Sequence, residues 1–189
     1  MSRYTAIYDA CVLYPAPLRD LLLELAVTDL FKARWSNRIH DEWMRNLLKN
    51  RPDLTLQQLE RTRDLMNAHV RDCLVDGFEG LEETIQLPDP DDRHVVAAAI
   101  KGRADVIVTF NLSDFPASAL EPWGLEAQHP DEFLANLIDL APDPVAAAAR
   151  TCRLRLKRPP KTIDEYLDIL ARQGLPESTT MLRRMREKL

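Results

Sequence analysis

With 189 residues, 46% of them hydrophobic and 29% charged, the chain has room for one sizeable core and a small appendage. No apolar run approaches the roughly 18 residues that a membrane-spanning helix needs. Three scattered cysteines, Cys11, Cys73 and Cys152, suit neither a disulfide framework nor paired zinc spacing. The start Met-Ser-Arg-Tyr-Thr-Ala-Ile-Tyr-Asp lacks a signal-peptide core, so a cytosolic (cytoplasmic) protein with free thiols and no membrane contact is expected.

The first element is a β-favouring run over 4–8, closed by Asp9 and followed by a helix over 18–32 with Leu21, Leu22, Leu25 and Leu30 at helical spacings. A small strand over 33–36 would complete a β-α-β unit, and Ser36 and Asn37 suit the cap of the next helix, 37–50. In that helix Ile39, Trp43 and Leu47 form a buried stripe. Glu42 lies three residues after Ile39 and shares its side, whereas Asp41 points elsewhere. After Pro52-Asp53 the pattern predicts a long charged helix over 55–73, with Leu56, Leu59, Leu65, Met66 and Val70 on its apolar side. Gly77 and Gly80 end it before a strand over 84–87.

Residues 88–116, P-D-P-D-D-R-H-V-V-A-A-A-I-K-G-R-A-D-V-I-V-T-F-N-L-S-D-F-P, organise the chain. They read as an acidic helix start, a small-residue helix and a buried strand ending at Thr109. Asp89 or Asp91 suffices as a helix cap. Asp92, three and four residues before Val95 and Val96, shares the inward face and is the better ligand candidate. A last strand over 125–128 precedes a helix from Pro130 through Leu140. Strands alternating with helices predict an α/β fold with a mostly parallel sheet.

The turn Ala141-Pro142-Asp143-Pro144 separates a helical module with helices over 144–157, 162–172 and 178–188, giving domains 1–140 and 141–189. Charge divides similarly beneath a net −5. Residues 150–189 carry 11 Lys and Arg against 5 Asp and Glu (+6), whereas residues 1–149 carry 14 against 25 (−11). A basic tail on an acidic body suits contact with nucleic acid or an acidic partner segment, or a solvated helical surface.

In an open parallel sheet, ligands sit beyond the carboxyl ends of the strands. Asp9, Glu42, Asp91 or Asp92, and Asp114 meeting there would repel one another, and a divalent cation relieves that repulsion. All-oxygen donors favour Mg²⁺ or Mn²⁺, and the four histidines lie apart in sequence. A haloacid-dehalogenase-type phosphatase would need an Asp where Cys11 stands.

Asp9-Ala-Cys-Val-Leu after the first strand, Glu42 on a helix, D-x-x-V-V-A-A-A from Asp92 and T-x-N-x-x-D-F from Thr109 together resemble a PIN-domain ribonuclease of the bacterial VapC type over about residues 4–140. The resemblance implies a PIN-like three-layer fold and a metal-dependent endoribonuclease, the toxin of a type II toxin-antitoxin pair, with an RNA substrate, a cognate antitoxin and a homodimer. It implies Asp9, Glu42 and Asp92 as metal ligands, with Asn111 or Asp114 as the fourth position. This chain has Asn111 where many members carry Asp.

Metal-activated water would attack the phosphodiester in line, with Thr109, Asn111 and Asp91 in the outer shell and Asp114 beside the catalytic acids. Because acids repel RNA, basic groups must supply affinity, and Arg93, Lys101, Arg103 and the tail are the candidates. The alternative is a catalytically weak PIN scaffold that binds RNA or antitoxin.

Overall fold

The computed structural model describes residues 4–189. In chain order the elements are β1 (Thr5–Tyr8), α1 (Ala10–Leu13), α2 (Ala16–Ala26), β2 (Lys32–Arg34), α3 (Asn37–Asn50), α4 (Leu56–His69), α5 (Arg93–Lys101) and β3 (Val106–Val108). Then come α6 (Ala117–Leu120), β4 (Glu126–Gln128), α7 (Pro130–Leu140), α8 (Pro142–Arg155), α9 (Ile163–Arg172) and α10 (Pro176–Arg184). The four strands form one sheet in the order β2-β1-β3-β4, and every pairing is parallel, in keeping with the expected α/β class. No described helix is long and apolar enough to cross a membrane.

Contacts divide the chain into two compact units. One holds residues up to Tyr14 together with Phe31–His129; the other holds Pro15–Leu30 and Pro130–Leu189. Thus α2 and α7 cluster with the C-terminal helices, α2 against α8 and α7 against α10, so the grouping departs from a simple cut at residue 140.

In the first unit, β1 and β3 are central and wholly buried, as near-continuous apolar runs in a parallel sheet should be. Ser36 caps α3 by accepting from the Ile39 N–H, and Ile39, Trp43 and Leu47 point inward as their spacing requires. Trp43 Nε1 donates to His40 Nδ1 at 3.0 Å. His40 Nε2 lies 2.9 Å from Asn67 Oδ1, which also accepts from Trp35 Nε1 at 2.8 Å. The imidazole is therefore neutral with its proton on Nε2, and burial pushes its pKa down.

Four expectations are corrected. The helix expected over 18–32 ends at Ala26, because Lys32 N–H donates to Tyr4 O at 2.8 Å and begins β2. The helix expected over 55–73 ends at His69. Cys73 and Val75 exchange backbone hydrogen bonds with Trp35 (2.9 Å each), and this extended segment joins the sheet edge through an isolated bridge at Leu74. Leu56 and Leu65, assigned to the apolar side, are 52% and 61% exposed. Residues 84–87 form no strand; a 3-10 stretch over Glu79–Thr84 stands just before them.

In the second unit, α10 begins without a side-chain cap of its own. The buried Asp131 of α7 supplies one by accepting from Glu177 N–H (2.9 Å) and Ser178 N–H (2.8 Å), while Ser178 Oγ donates back to Asp131 O at 2.9 Å. Two orphan helix donors and a buried carboxylate satisfy each other.

The depressed His40 pKa sets a pH dependence. The unfolded imidazole protonates near its ordinary value of about 6.5 and the folded one lower, so stability is full above that value and falls as pH drops through it. Urea titrations from pH 7.5 to 5 should show this decline. His40→Gln should flatten it while lowering stability by about 1–3 kcal/mol at pH 7.5, through loss of the acceptor for Trp43.

Candidate carboxylate centre

The centre forms at the carboxyl edge of the sheet because pairing of β1 with β3 sets Tyr8 beside Val108, so Asp9 and Thr109 emerge side by side. Asp9 N–H donates to Val108 O at 3.1 Å. Its carboxylate is 3% exposed and takes three donors: Ala10 N–H to Oδ1 at 2.6 Å, and Thr109 Oγ1 (2.7 Å) and Cys11 Sγ (3.1 Å) to Oδ2. Thr109 Oγ1 in turn accepts from Asn111 N–H at 3.0 Å, and Cys11 Sγ accepts from Phe110 N–H at 3.3 Å. Burial raises the Asp9 pKa, its donors lower it, and nearby Glu42 raises it again.

Asp92 ends the one-turn 3-10 helix Pro90–Asp92 that leads into α5, and its side chain caps nothing. Desolvation pushes its pKa up to about 7, with Asp9, Asp89, Glu42 and Asp114 adding to the shift in that order. The expected acids Asp9, Glu42, Asp92 and Asp114 thus share one electrostatic neighbourhood, joined by Asp89, although four different parts of the chain contribute to it. Asp89, not Asp91, is the cap: its carboxylate accepts from Asp91 N–H at 2.9 Å. Asp91 itself is exposed.

A cleft of about 470 Å³ borders this neighbourhood, with Glu42, Asp91, Asp92 and His94 among its lining. Arg38 and Arg45 also line it, one turn or less from Glu42 on α3. Arg38 is held in a two-pronged pair with Glu82 at 2.7 and 2.8 Å. Of the expected basic residues, Arg93 opens α5, whereas Lys101 ends it and Arg103 follows it. Nine residues of helix place Lys101 about 14 Å along the axis from Asp92, at the other end of α5.

Sequence reasoning missed four participants. His94 is buried, and its Nε2 lies 3.3 Å from Glu42 Oε2. Its Nδ1 has no hydrogen-bond partner among the described residues. Cys11 is a donor to Asp9, and Arg38 and Arg45 of α3 complete the set. The i+2 spacing of Asp92 and His94 gave a faint signal for His94, and nothing local marked the others.

The donor chemistry fits a hard divalent cation: carboxylates in excess, one of them with its pKa raised by desolvation and by the charge of its neighbours. Among the described residues, however, no three His, Cys, Asp or Glu side chains already stand close enough to enclose an ion. Asp9 is fixed by its donors, while Glu42 and Asp92 are half-exposed.

Residues 5–113 match the PIN domain family, more than half of the chain, and residues 130–184 match the VapC50 C-terminal domain family. The chain is 42% identical over 94 residues to "Putative ribonuclease VapC50" of Mycobacterium tuberculosis (strain ATCC 25618 / H37Rv). That alignment covers 50% of this chain and 55% of the relative, so the chain spans about half the length of the curated relative it matches. No solved structure matches.

The raised Asp92 pKa predicts its own pH signature. An unfolded Asp titrates near 4 and this one near 7, so stability is full below about pH 4 and is lost as pH rises through 7 when no cation is bound. Asp92→Asn should therefore raise the melting temperature in chelator more at pH 8 than at pH 5. Thr109→Val should instead cost about 1.5–3 kcal/mol at pH 8, since it removes a donor from a buried carboxylate.

Proposed function

We propose a function from one premise: the chain belongs to the PIN-domain family, in its VapC-type branch. The reading is a divalent-metal-dependent endoribonuclease that hydrolyses RNA phosphodiester bonds and serves as the toxin of a type II toxin-antitoxin pair. The observation that carries it is the gathering of Asp9, Glu42 and Asp114 around Asp92. A helix start needs one acid, and Asp89 already fills that place. The further acids raise the cost of charging Asp92, so they oppose stability unless a cation or a reaction uses them.

Asp9, Glu42 and Asp92 would hold Mg²⁺ or Mn²⁺, with Asn111 or Asp114 at the fourth position. When bound, such an ion lowers the pKa of water and offsets charge developing on phosphate. Within the chain, Thr109 and Cys11 orient Asp9 through their hydrogen bonds to Oδ2. Glu42 takes the proton of the water that attacks phosphorus in line, and His94 at Oε2 keeps that carboxylate turned toward its task. The products carry a 5′-phosphate and a 3′-hydroxyl. Arg45 flanks the cleft beside Arg38, which is paired with Glu82, and offsets the repulsion between acids and RNA, a role that Lys101 and Arg103 at the far end of α5 share less directly.

A cognate antitoxin and a homodimer belong to the same reading. The exposed Leu56 and Leu65 of α4 offer apolar surface for such a contact.

Pure, partner-free protein incubated with a mixed RNA pool should cut in Mg²⁺ or Mn²⁺ and stop in EDTA. Asp9→Asn and Asp92→Asn should each lower cleavage about a hundredfold or more, whereas Asp91→Ser should retain it, since Asp89 caps the turn. Full cleavage in EDTA would sink the metal reading. RNA binding with no cleavage under any metal would leave the scaffold alternative in its place.

A further inference from the structure

The second unit holds a cavity of about 660 Å³, within the size range of small-ligand sites. Three kinds of group line it. Leu156, Pro159 and Ile169 give apolar walls. Tyr166 and Asp20 contribute polar groups. The Tyr166 hydroxyl is buried, in a residue 3% exposed, with the Cys152 thiol beside it. Asp20 is reachable by solvent, yet desolvation by its surroundings raises its pKa even with Arg19 and Arg155 beside it. Its backbone carbonyl is taken by Cys152 Sγ at 3.5 Å, so the side chain is the group left to receive a ligand.

The third kind is cationic. Lys157, Arg158 and Lys161 lie on the turn after α8, closed by a bridge between Lys157 and Pro160. Arg155 is spent on Glu24 at 2.7 Å, but these three make no ion pair among the described residues. A ligand that suits the cavity carries an anion at one end, a flat or apolar body, and neutral N–H donors at the other end for Asp20. An acidic peptide distributes its carboxylates along its length and would set some of them against Asp20. A nucleotide carries both kinds of group at once, phosphate for the cations and a base edge for Asp20. Among the four RNA bases, guanine alone presents two adjacent donors, N1–H and N2–H, which match the two oxygens of a carboxylate.

We propose that this cavity is a single-stranded RNA subsite that takes a guanosine nucleotide, its base edge on Asp20 and its flanking phosphates on Lys157, Arg158 and Lys161. The proposal deepens the ribonuclease reading and rests on it for the presence of RNA. The basic charge of the tail is thereby given a specific task, with the base selecting and the phosphates supplying affinity.

The test is anisotropy of fluorescein-labelled hexanucleotides, alternating G and U or U alone, titrated with the full-length protein in chelator so that cleavage does not compete. The G-containing oligomer should bind about tenfold or more tighter. Asp20→Asn should bring that ratio close to one with little change for the U oligomer. Lys157→Ala combined with Arg158→Ala should weaken both and lower the salt slope by about 1.4. Ile169→Trp should weaken G binding by filling the cavity, with circular dichroism as the folding control.

Equal affinity for the two oligomers, or a G preference that survives Asp20→Asn, overturns the proposal. So does tight binding of a Trp-containing acidic peptide, abolished by the Lys157/Arg158 double variant, when neither RNA binds. Cleavage in Mn²⁺ is scored separately: cutting without the Asp20-dependent preference rejects the subsite alone, and that preference without cutting rejects the ribonuclease reading alone.

Discussion

A carboxylate buried at the end of a central strand is the constraint on which the first unit depends. Asp9 cannot lie 3% exposed beside apolar strands unless donors meet it; two come from the turn that follows it and the third from the end of β3, which the parallel pairing with β1 brings within reach. Ala10 N–H is available because the chain turns into α1 at once, with Asp9 as its N-cap. Thr109 is available because the register sets the ends of the two strands level. Cys11 completes the set while its own thiol is pushed far above its ordinary range, first by burial and then by Asp9, so it serves as a donor and not as a thiolate. A shift of β3 by one residue would carry the Thr109 hydroxyl to the opposite face and leave Asp9 with a missing partner.

From this anchor the remaining acids take different characters. Asp9 is held in place by three donors, whereas Asp92 is half-exposed, caps nothing and is desolvated beside its neighbours' charge. Glu42 sits between these extremes, restrained by His94 on a buried ring. One carboxylate is thus fixed by its donors at the sheet edge, and two others near it are half-exposed. The second unit uses a buried acid in the opposite way. Asp131 is consumed by the two free N–H groups of α10, and nothing of its charge is left for chemistry. Burial and donors are common to Asp9 and Asp131; what Asp9 has besides is the charge of Glu42 and Asp92 nearby.

Local chemistry made much of this legible beforehand. The bounds of α3 and α7 follow from a Ser cap, an i, i+4 stripe and a Pro at the helix start, all contained within a few residues. Asp92 stood out from Asp91 by its spacing to Val95 and Val96, and its half-buried setting follows the same geometry. Where the reading failed, a distant backbone had intervened. Lys32 left its helix to pair with β1, and Cys73 and Val75 left theirs to pair with Trp35. Leu65 obeyed helical spacing and still faced outward, because periodicity orders residues around a helix without saying what lies against each side.

The sequence by itself determined the ends of β1 and β4, the starts of α3 and α7, and the carboxylate of Asp9 at the end of β1, since caps and periodicities act over three or four residues. Tertiary structure alone decided which groups those carboxylates meet. Cys11 and Thr109 lie 98 positions apart and touch, Glu42 and His94 pair across two helices, and Lys101 shares a helix with Asp92 yet stands at its other end. Hydrogen bonds and charge interactions fall off within a few ångströms of space, and separation along the chain sets no such distance until the strands have paired.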